Sequence, residues 1–251
     1  NTIVEQNTLS KRNFLRSATI LNQLMTFLLP TLIVIWMAYA SQFNKELRLQ
    51  LPSNIVLVAL GILFLFATFP VAQWLFSINK TLPLPASAIA LEEKLSELSK
   101  ALLVMESPWE LVFNVLTIAL VPAVCEELLF RGVLQQQLSK WMNQPILAIW
   151  IAAFIFSAIH GQFQGFLPRL LLGAALGYLL FWTQNLWIPI IAHFFNNAIQ
   201  ILVAYSRTDL LENSELIQDQ SIPLLVVAVS SIFVVYLGFS IKKISRHKLG
   251  G

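Results

Sequence analysis

Apolar runs close to the roughly 20 residues that carry a helix across a bilayer recur through this chain, and they leave few folds open. They run from Thr19 to Ala40, Ile55 to Ile78, Pro108 to Phe130, Pro145 to His160, Phe166 to Trp182, Leu186 to Tyr205 and Ile222 to Ile241. Of 251 residues 57% are hydrophobic and 12% charged, and that charged fraction is about half of what a soluble domain carries. Inside hydrocarbon every backbone polar group must be satisfied within its own segment, so the runs are predicted helices. The expected fold is all-α, a polytopic membrane helix bundle of about seven to eight transmembrane helices. Pro30 and Pro70 fall inside the first two spans, where a membrane helix tolerates them as kinks.

The connecting segments differ in kind. Residues 1–17 form a polar, basic lead, read as an interfacial helix, and Ser41 to Asn54 a polar loop. Between residues 86 and 106, Leu91, Leu95, Leu98, Leu102 and Met105 recur at intervals of three and four, with Glu92, Glu93, Lys94, Glu97 and Lys100 on the other face. That pattern predicts an amphipathic helix lying on the membrane or against the bundle, a connector first and a substrate gate second. The segment Arg131 to Lys140, with Gln135, Gln136 and Gln137, is expected at the interface, and the loop carrying Asp209, Glu212, Glu215 and Asp219 in solvent. Lys11, Arg12 and Arg16 before the first span, and Lys242, Lys243, Arg246 and Lys248 after the last, suit anionic lipid headgroups rather than nucleic acid. The single cysteine, Cys125, excludes an intrachain disulfide; it reads as a small buried hydrophobe with no cation to make it a thiolate. No cleavable signal sequence is evident. Three parts are expected: 1–106 with two spans and the amphipathic helix, 107–206 as a four-helix core, and 207–251 with the last span and a basic tail.

The segment Pro122-Ala-Val-Cys-Glu126-Glu127-Leu-Leu-Phe130-Arg131-Gly132 places two carboxylates and a guanidinium at the end of an apolar run. Ionisable groups at membrane depth are costly and mark function by default. Further polar residues fall inside later spans: His160, four residues after Phe156, then His193, Asn196 and Asn197. Glu127 and Arg131 are four apart and share a helix face, as do His193 and Asn197. Glu126 lies about 100° round the helix from Glu127, with no local counter-ion. Pro122 cannot donate to the Ile118 carbonyl, which loosens the helix one turn before Glu126. Counted along straight helices, the depths of Glu126, His160, Asn197 and His193 agree within a few turns.

The chemistry this set suggests is hydrolysis. A desolvated Glu126 can serve as general base on water, and His160 can share that water or protonate a leaving amine. His193 and Asn197 can donate to the oxyanion of a tetrahedral intermediate. Glu127 and Arg131 are then a structural pair holding the helix. Ser157 is expected to bond its own helix backbone, and Arg169 to be an interfacial anchor, with a substrate carboxylate as the second reading.

Glu126-Glu127-Leu-Leu-Phe-Arg131, Phe156-Ser-Ala-Ile-His160 and His193-Phe-Phe-Asn-Asn197 resemble the three ordered motifs, EExxxR, FxxxH and HxxxN, of the CAAX protease and bacteriocin-processing (CPBP, or Abi) family. The resemblance covers roughly residues 108–205. It implies an intramembrane endopeptidase in which Glu126 and His160 activate water while His193 and Asn197 stabilise the oxyanion. It also implies a peptide or protein substrate, embedded in the membrane or lipid-modified, with membrane lipids around it and no nucleic acid. The cytoplasmic membrane of a bacterium is the expected location.

Two questions stay open at the level of sequence. Glu126, His160 and His193 supply the two-histidine, one-carboxylate set of a catalytic zinc site, yet the HExxH spacing is missing; the balance favours no metal cofactor, with a divalent ion such as zinc as the alternative. A catalytically silent membrane partner, for bacteriocin immunity or secretion, is the competing function. A proton-coupled transporter ranks below it, since no internal repeat of broken helices is found.

Overall fold

The structure, a computed structural model, describes residues 8–39, 43–207 and 222–249. The acidic loop with Asp209, Glu212, Glu215 and Asp219, the first seven residues and the side chain of Lys248 lie outside the described residues. Eight helices organise the rest: α1 (Leu9–Met37), α2 (Ile55–Lys80), α3 (Ala86–Leu103), α4 (Pro108–Met142), α5 (Pro145–Ala158), α6 (Phe166–Thr183), α7 (Trp187–Ser206) and α8 (Leu224–Arg246). Six of them are long and apolar enough to cross a membrane. The expected polytopic helix bundle is therefore the fold. The one difference among the apolar runs is α5, whose 14 residues reach only about 21 Å, short of a hydrocarbon core about 30 Å thick.

Local sequence sets the helix boundaries. Thr8 caps α1 by accepting from the Lys11 amide, and Asn54 caps α2 by accepting from Val56. Ser107 caps α4, with Pro108 in its first turn, where a missing N–H costs nothing. Asn143 and Gln184 end α4 and α6 in the left-handed conformation, with φ of 54° and 53°. Prolines inside spans are absorbed in two ways. Pro70 breaks α2, whose first half ends at Ala67, with Thr68 bonding back to the Leu65 carbonyl. Pro30 and Pro122 each follow a π-helical stretch, Leu24–Leu28 in α1 and Val115–Leu120 in α4. A second π-helical stretch of α4, Leu128–Leu134, begins directly after Glu127. Such stretches re-aim a helix face and gather at functional sites; here they bracket the α-helical segment Val121–Glu127.

The bundle closes around α6 and α7. Leu57, Phe64 and Leu65 of α2 pack with Leu176 and Leu179 of α6, Ile188 of α7, and Leu237 and Ile241 of α8. The turn between α6 and α7 is tied to the segment after α1, since Leu186 N, Trp187 Nε1 and Asn185 Nδ2 donate to the carbonyls of Arg48, Leu49 and Gln50. That segment is thus more than a polar loop, and Leu47 within it is core.

Three expectations need correction. First, the basic lead is helical from Leu9, as expected, but it runs on into the first span, and Arg12 and Arg16 are 2% and 0% exposed rather than turned to headgroups. Arg12 pairs with Glu106 and Glu110, and Arg16 with Glu110, while Arg16 also bonds Asn114 and the Val104 carbonyl. Buried guanidiniums survive only when paired and hydrogen-bonded. Second, α4 runs straight through Arg131 to Met142, and Gln135 and Gln136 are buried, donating to the Gly177 and Gly132 carbonyls. Third, Ser157 bonds the Phe166 carbonyl on the next helix, not its own backbone.

The pairing of Arg12 and Arg16 with Glu110 and Asn114 sets the starts of α1 and α4 side by side, and farther along Gln23 meets Glu126. The two helices are parallel. The chain between them crosses once, in α2, and then lies along the same end of the bundle in α3, as its charged face predicts.

Candidate active site

Every residue of the three motifs singled out as chemically competent faces one cavity of about 480 Å³. Glu126 on α4, Phe156 and His160 at the end of α5, and His193, Asn196 and Asn197 on α7 all line it. α5 ends at Ala158, and His160 follows within two residues, at the cavity wall. The loop from His160 to Phe166 then turns back into α6, with Gly161 at φ +66°, a conformation that suits glycine.

Glu127, fully buried, is the hub behind this cavity. Its Oε1 accepts from Arg131 Nη1 at 2.8 Å and from His193 Nδ1 at 2.8 Å. The expected Glu127–Arg131 pair is present, and His193 joins it. Arg131 also donates to the Gly173 carbonyl of α6 at 2.8 Å. A side chain at Gly173 would press on Ala153 and Phe156 at 3.2 Å, so the glycine permits α5 and α6 to close on each other there. The Arg131 guanidinium stacks over the Phe156 ring at 4.7 Å. That ring meets His160 edge-on at 4.9 Å and His193 at 6.3 Å. Phe156 is thus the apolar pivot on which both histidines and the arginine are aligned.

The hydrogen bonds fix what each group can do. A carbonyl only accepts, so the 2.7 Å contact of His160 Nδ1 with the Phe156 carbonyl makes Nδ1 a protonated nitrogen. Nε2 is then the nitrogen left for the cavity. His193 Nδ1 is paired with Glu127, so there too Nε2 is the nitrogen left for the cavity. Asn197 Nδ2 donates to the Ile118 carbonyl at 3.2 Å, the group that Pro122 leaves without its helical donor. Glu126, 4% exposed, accepts one hydrogen bond, from Gln23 Nε2 to Oε1 at 2.9 Å.

Arg169, expected as an interfacial anchor, instead lines the cavity, with its guanidinium on the Gln162 carbonyl and side-chain oxygen. Sequence reasoning missed Thr19, Gln23 and Gln200, which also line it. The signal was present for two of them, since Arg12, Arg16, Thr19 and Gln23 fall at i, i+4, i+7 and i+11 on one helical face. It missed as well the part played by α3. Ser99, Leu102 and Leu103 wall the cavity, and Glu92 Oε2 accepts from the Phe163 amide at 2.8 Å. Asn79 bonds the Phe163 carbonyl from α2. The loop beside His160 is therefore held from two sides, and α3 covers it.

Among the described residues no three His, Cys, Asp or Glu side chains gather closely enough to hold a metal. Glu126, His160 and His193 share a cavity without converging as ligands. Each histidine engages Nδ1, with the Phe156 carbonyl and with Glu127, and keeps Nε2 for the cavity.

Comparison with known proteins bears on the same region. The family described as type II CAAX prenyl endopeptidase Rce1-like matches residues 108–199. An uncharacterized protein, YpbD, of Bacillus subtilis (strain 168) is 32% identical over 103 residues, 38% of this chain and 50% of that relative. The chain thus spans half the length of the curated relative it matches. No solved structure matches. The three motifs, from Glu126 to Asn197, all fall within residues 108–199, the stretch that is similar to that family.

Proposed function

We propose that the protein is an intramembrane endopeptidase that hydrolyses a peptide bond of a membrane-embedded or lipid-modified substrate. The observation that carries this reading is the single cavity shared by Glu126, His160, His193 and Asn197 within a membrane bundle. Residues 107–206 are its catalytic core, and the bacterial cytoplasmic membrane is its proposed site of action.

Glu126 takes a proton from water as the water oxygen attacks the scissile carbonyl carbon. The carbonyl becomes an oxyanion, held by His193 Nε2–H and by the second amide hydrogen of Asn197, the first being engaged with Ile118. Collapse of the intermediate breaks the C–N bond, and the leaving nitrogen receives the proton held on Glu126. His160, with its Nε2 lone pair turned from Phe156, accepts from the attacking water and orients it. Glu127 is more than a helix brace in this scheme, because its carboxylate holds His193 Nδ1 and so aims Nε2 at the oxyanion. No step runs through a metal, because the cavity residues do not gather as ligands.

The test is turnover of a quenched-fluorescent peptide ending in a farnesylated Cys-aliphatic-aliphatic-X tail, in detergent micelles. Glu126→Gln and His160→Ala should each lose about 10²–10⁴-fold in kcat, the range that one general acid–base group supplies. Full cleavage by Glu126→Gln would overturn the reading.

A further inference from the structure

The family match begins at Pro108, yet the carboxylate proposed as the base is touched from outside it. Gln23, in the middle of α1, donates Nε2–H to Glu126 Oε1 at 2.9 Å across 103 residues of chain. This is the one hydrogen bond Glu126 makes among the described residues. It leaves Oε2 as the oxygen without a donor.

Two further observations show that the contact is built rather than incidental. Gln23 Oε1 is buried and has no hydrogen-bond partner among the described residues. A buried acceptor left unpaired is destabilising, and a leucine at this depth would avoid it, so the amide is retained for what its N–H end does. The register of α1 is also fixed below the contact. Arg16, seven residues earlier on the same face, is 0% exposed and locked to Glu110, Asn114 and the Val104 carbonyl. Seven residues are about two helical turns, so the clasp sets where Gln23 stands about 10 Å farther along.

We propose that Gln23 is a positioning residue for the general base: its N–H holds Glu126 Oε1, so that Oε2 faces the water. The inference rests on the proposed protease reading and extends it to α1, making a residue outside the family-matched region part of the hydrolytic apparatus. A hydrogen bond to an ionised group favours the ionised form. Without it, Glu126 rotates and takes up a proton more readily. The charged and titratable groups facing Glu126 are Glu127 and Arg131 on its own helix, His160 beyond α5, Arg169 on α6 and His193 on α7; none of them is altered by a change at Gln23.

Gln23→Leu and the control Asn22→Leu, on the outward face of α1, are compared with the unaltered protein on the farnesylated peptide. Gln23→Leu should lose about 10- to 100-fold in kcat, the size of one hydrogen bond to a charged group, with KM within about twofold. Asn22→Leu should match the unaltered protein. If Glu126→Gln is inactive while Gln23→Leu keeps its kcat within about threefold, the positioning role is wrong and the protease reading stands.

A second readout needs no turnover. Dicyclohexylcarbodiimide modifies protonated carboxyl groups in apolar surroundings, and mass spectrometry of the peptide carrying Glu126 gives the rate. Gln23→Leu should be labelled several-fold faster than the unaltered protein, with no label at that position in Glu126→Gln. Equal rates in the presence and absence of Gln23 overturn the proposal whether or not the protein is a protease.

Discussion

Glu127 Oε1 accepts the Nδ1–H of His193 at 2.8 Å, joining α4 to α7 across 66 residues of chain. Because Arg131 holds the same oxygen, one carboxylate both braces a helix and orients a histidine that opens on the cavity. The two adjacent glutamates therefore differ in what their loss should do. Glu127→Gln leaves a fully buried Arg131 without its counter-ion, a change worth about 3–5 kcal/mol of stability. It should also lower kcat by roughly 10²–10³, the cost of one oxyanion donor. Glu126→Gln should abolish turnover and leave the melting temperature in detergent nearly unchanged. Thermal unfolding and turnover measured on the same two preparations check both halves; identical behaviour of the two variants would show that the division is wrong.

The clasp at the start of α1 is expected to be structural. Glu110 accepts from both Arg12 and Arg16. Glu110→Gln leaves the buried Arg16 without its carboxylate and Arg12 with Glu106 but without Glu110, and should destabilise the folded bundle by about 3–5 kcal/mol. Unfolding in a titration of denaturing detergent measures this, and an unshifted midpoint would contradict the burial seen here.

Asn197 has two tasks on one amide. Asn197→Ala removes the donor to the Ile118 carbonyl, and amide hydrogen exchange through Val115–Leu120 should quicken. The kcat should fall by about 10²–10³ if the second N–H serves the oxyanion. Faster exchange with normal turnover would restrict Asn197 to holding the helix.

Glu92 pins the loop beside His160 through the Phe163 amide. Glu92→Ala should raise hydrogen exchange at residues 161–165 and raise KM several-fold, because α3 no longer holds the cavity wall in place. Unchanged exchange in that loop would mean α3 merely lies over it.

Exhaustive treatment with chelators, verified by elemental analysis, should leave turnover of the farnesylated peptide within about twofold. Loss of activity restored by added zinc would require Glu126, His160 and His193 to converge on binding.

The helices and the motif residues were legible because hydrophobic length and polar exceptions are local properties of a sequence. Glu126, His160, His193 and Asn197 stood out as polar positions inside apolar runs, and the structure gathers them around one cavity. What was not legible depended on partners distant in the chain. Arg12 and Arg16 look like headgroup anchors until Glu110, 98 and 94 residues away, is found against them. Gln135 and Gln136 look interfacial because three glutamines in a row lower the local hydropathy, but the Gly177 carbonyl waits on α6 for Gln135. The π-helical stretches that bracket Glu126 and Glu127 leave no mark that periodicity can read beyond the two prolines that follow such stretches.

The inward polar face of α1 has a consequence for biogenesis. A segment carrying Arg12, Arg16, Thr19 and Gln23 is a poor candidate for release into lipid by itself, since charged side chains at helix depth oppose insertion. Its partners on α4 are made about a hundred residues later, after α2 has crossed. A helix made before α4 thus finds its place only after α4 arrives, and until then it must wait in the insertion machinery or at the membrane surface. Assembly of the bundle and completion of the surroundings of Glu126 are then the same event, since Gln23 reaches that carboxylate only when α1 and α4 are side by side.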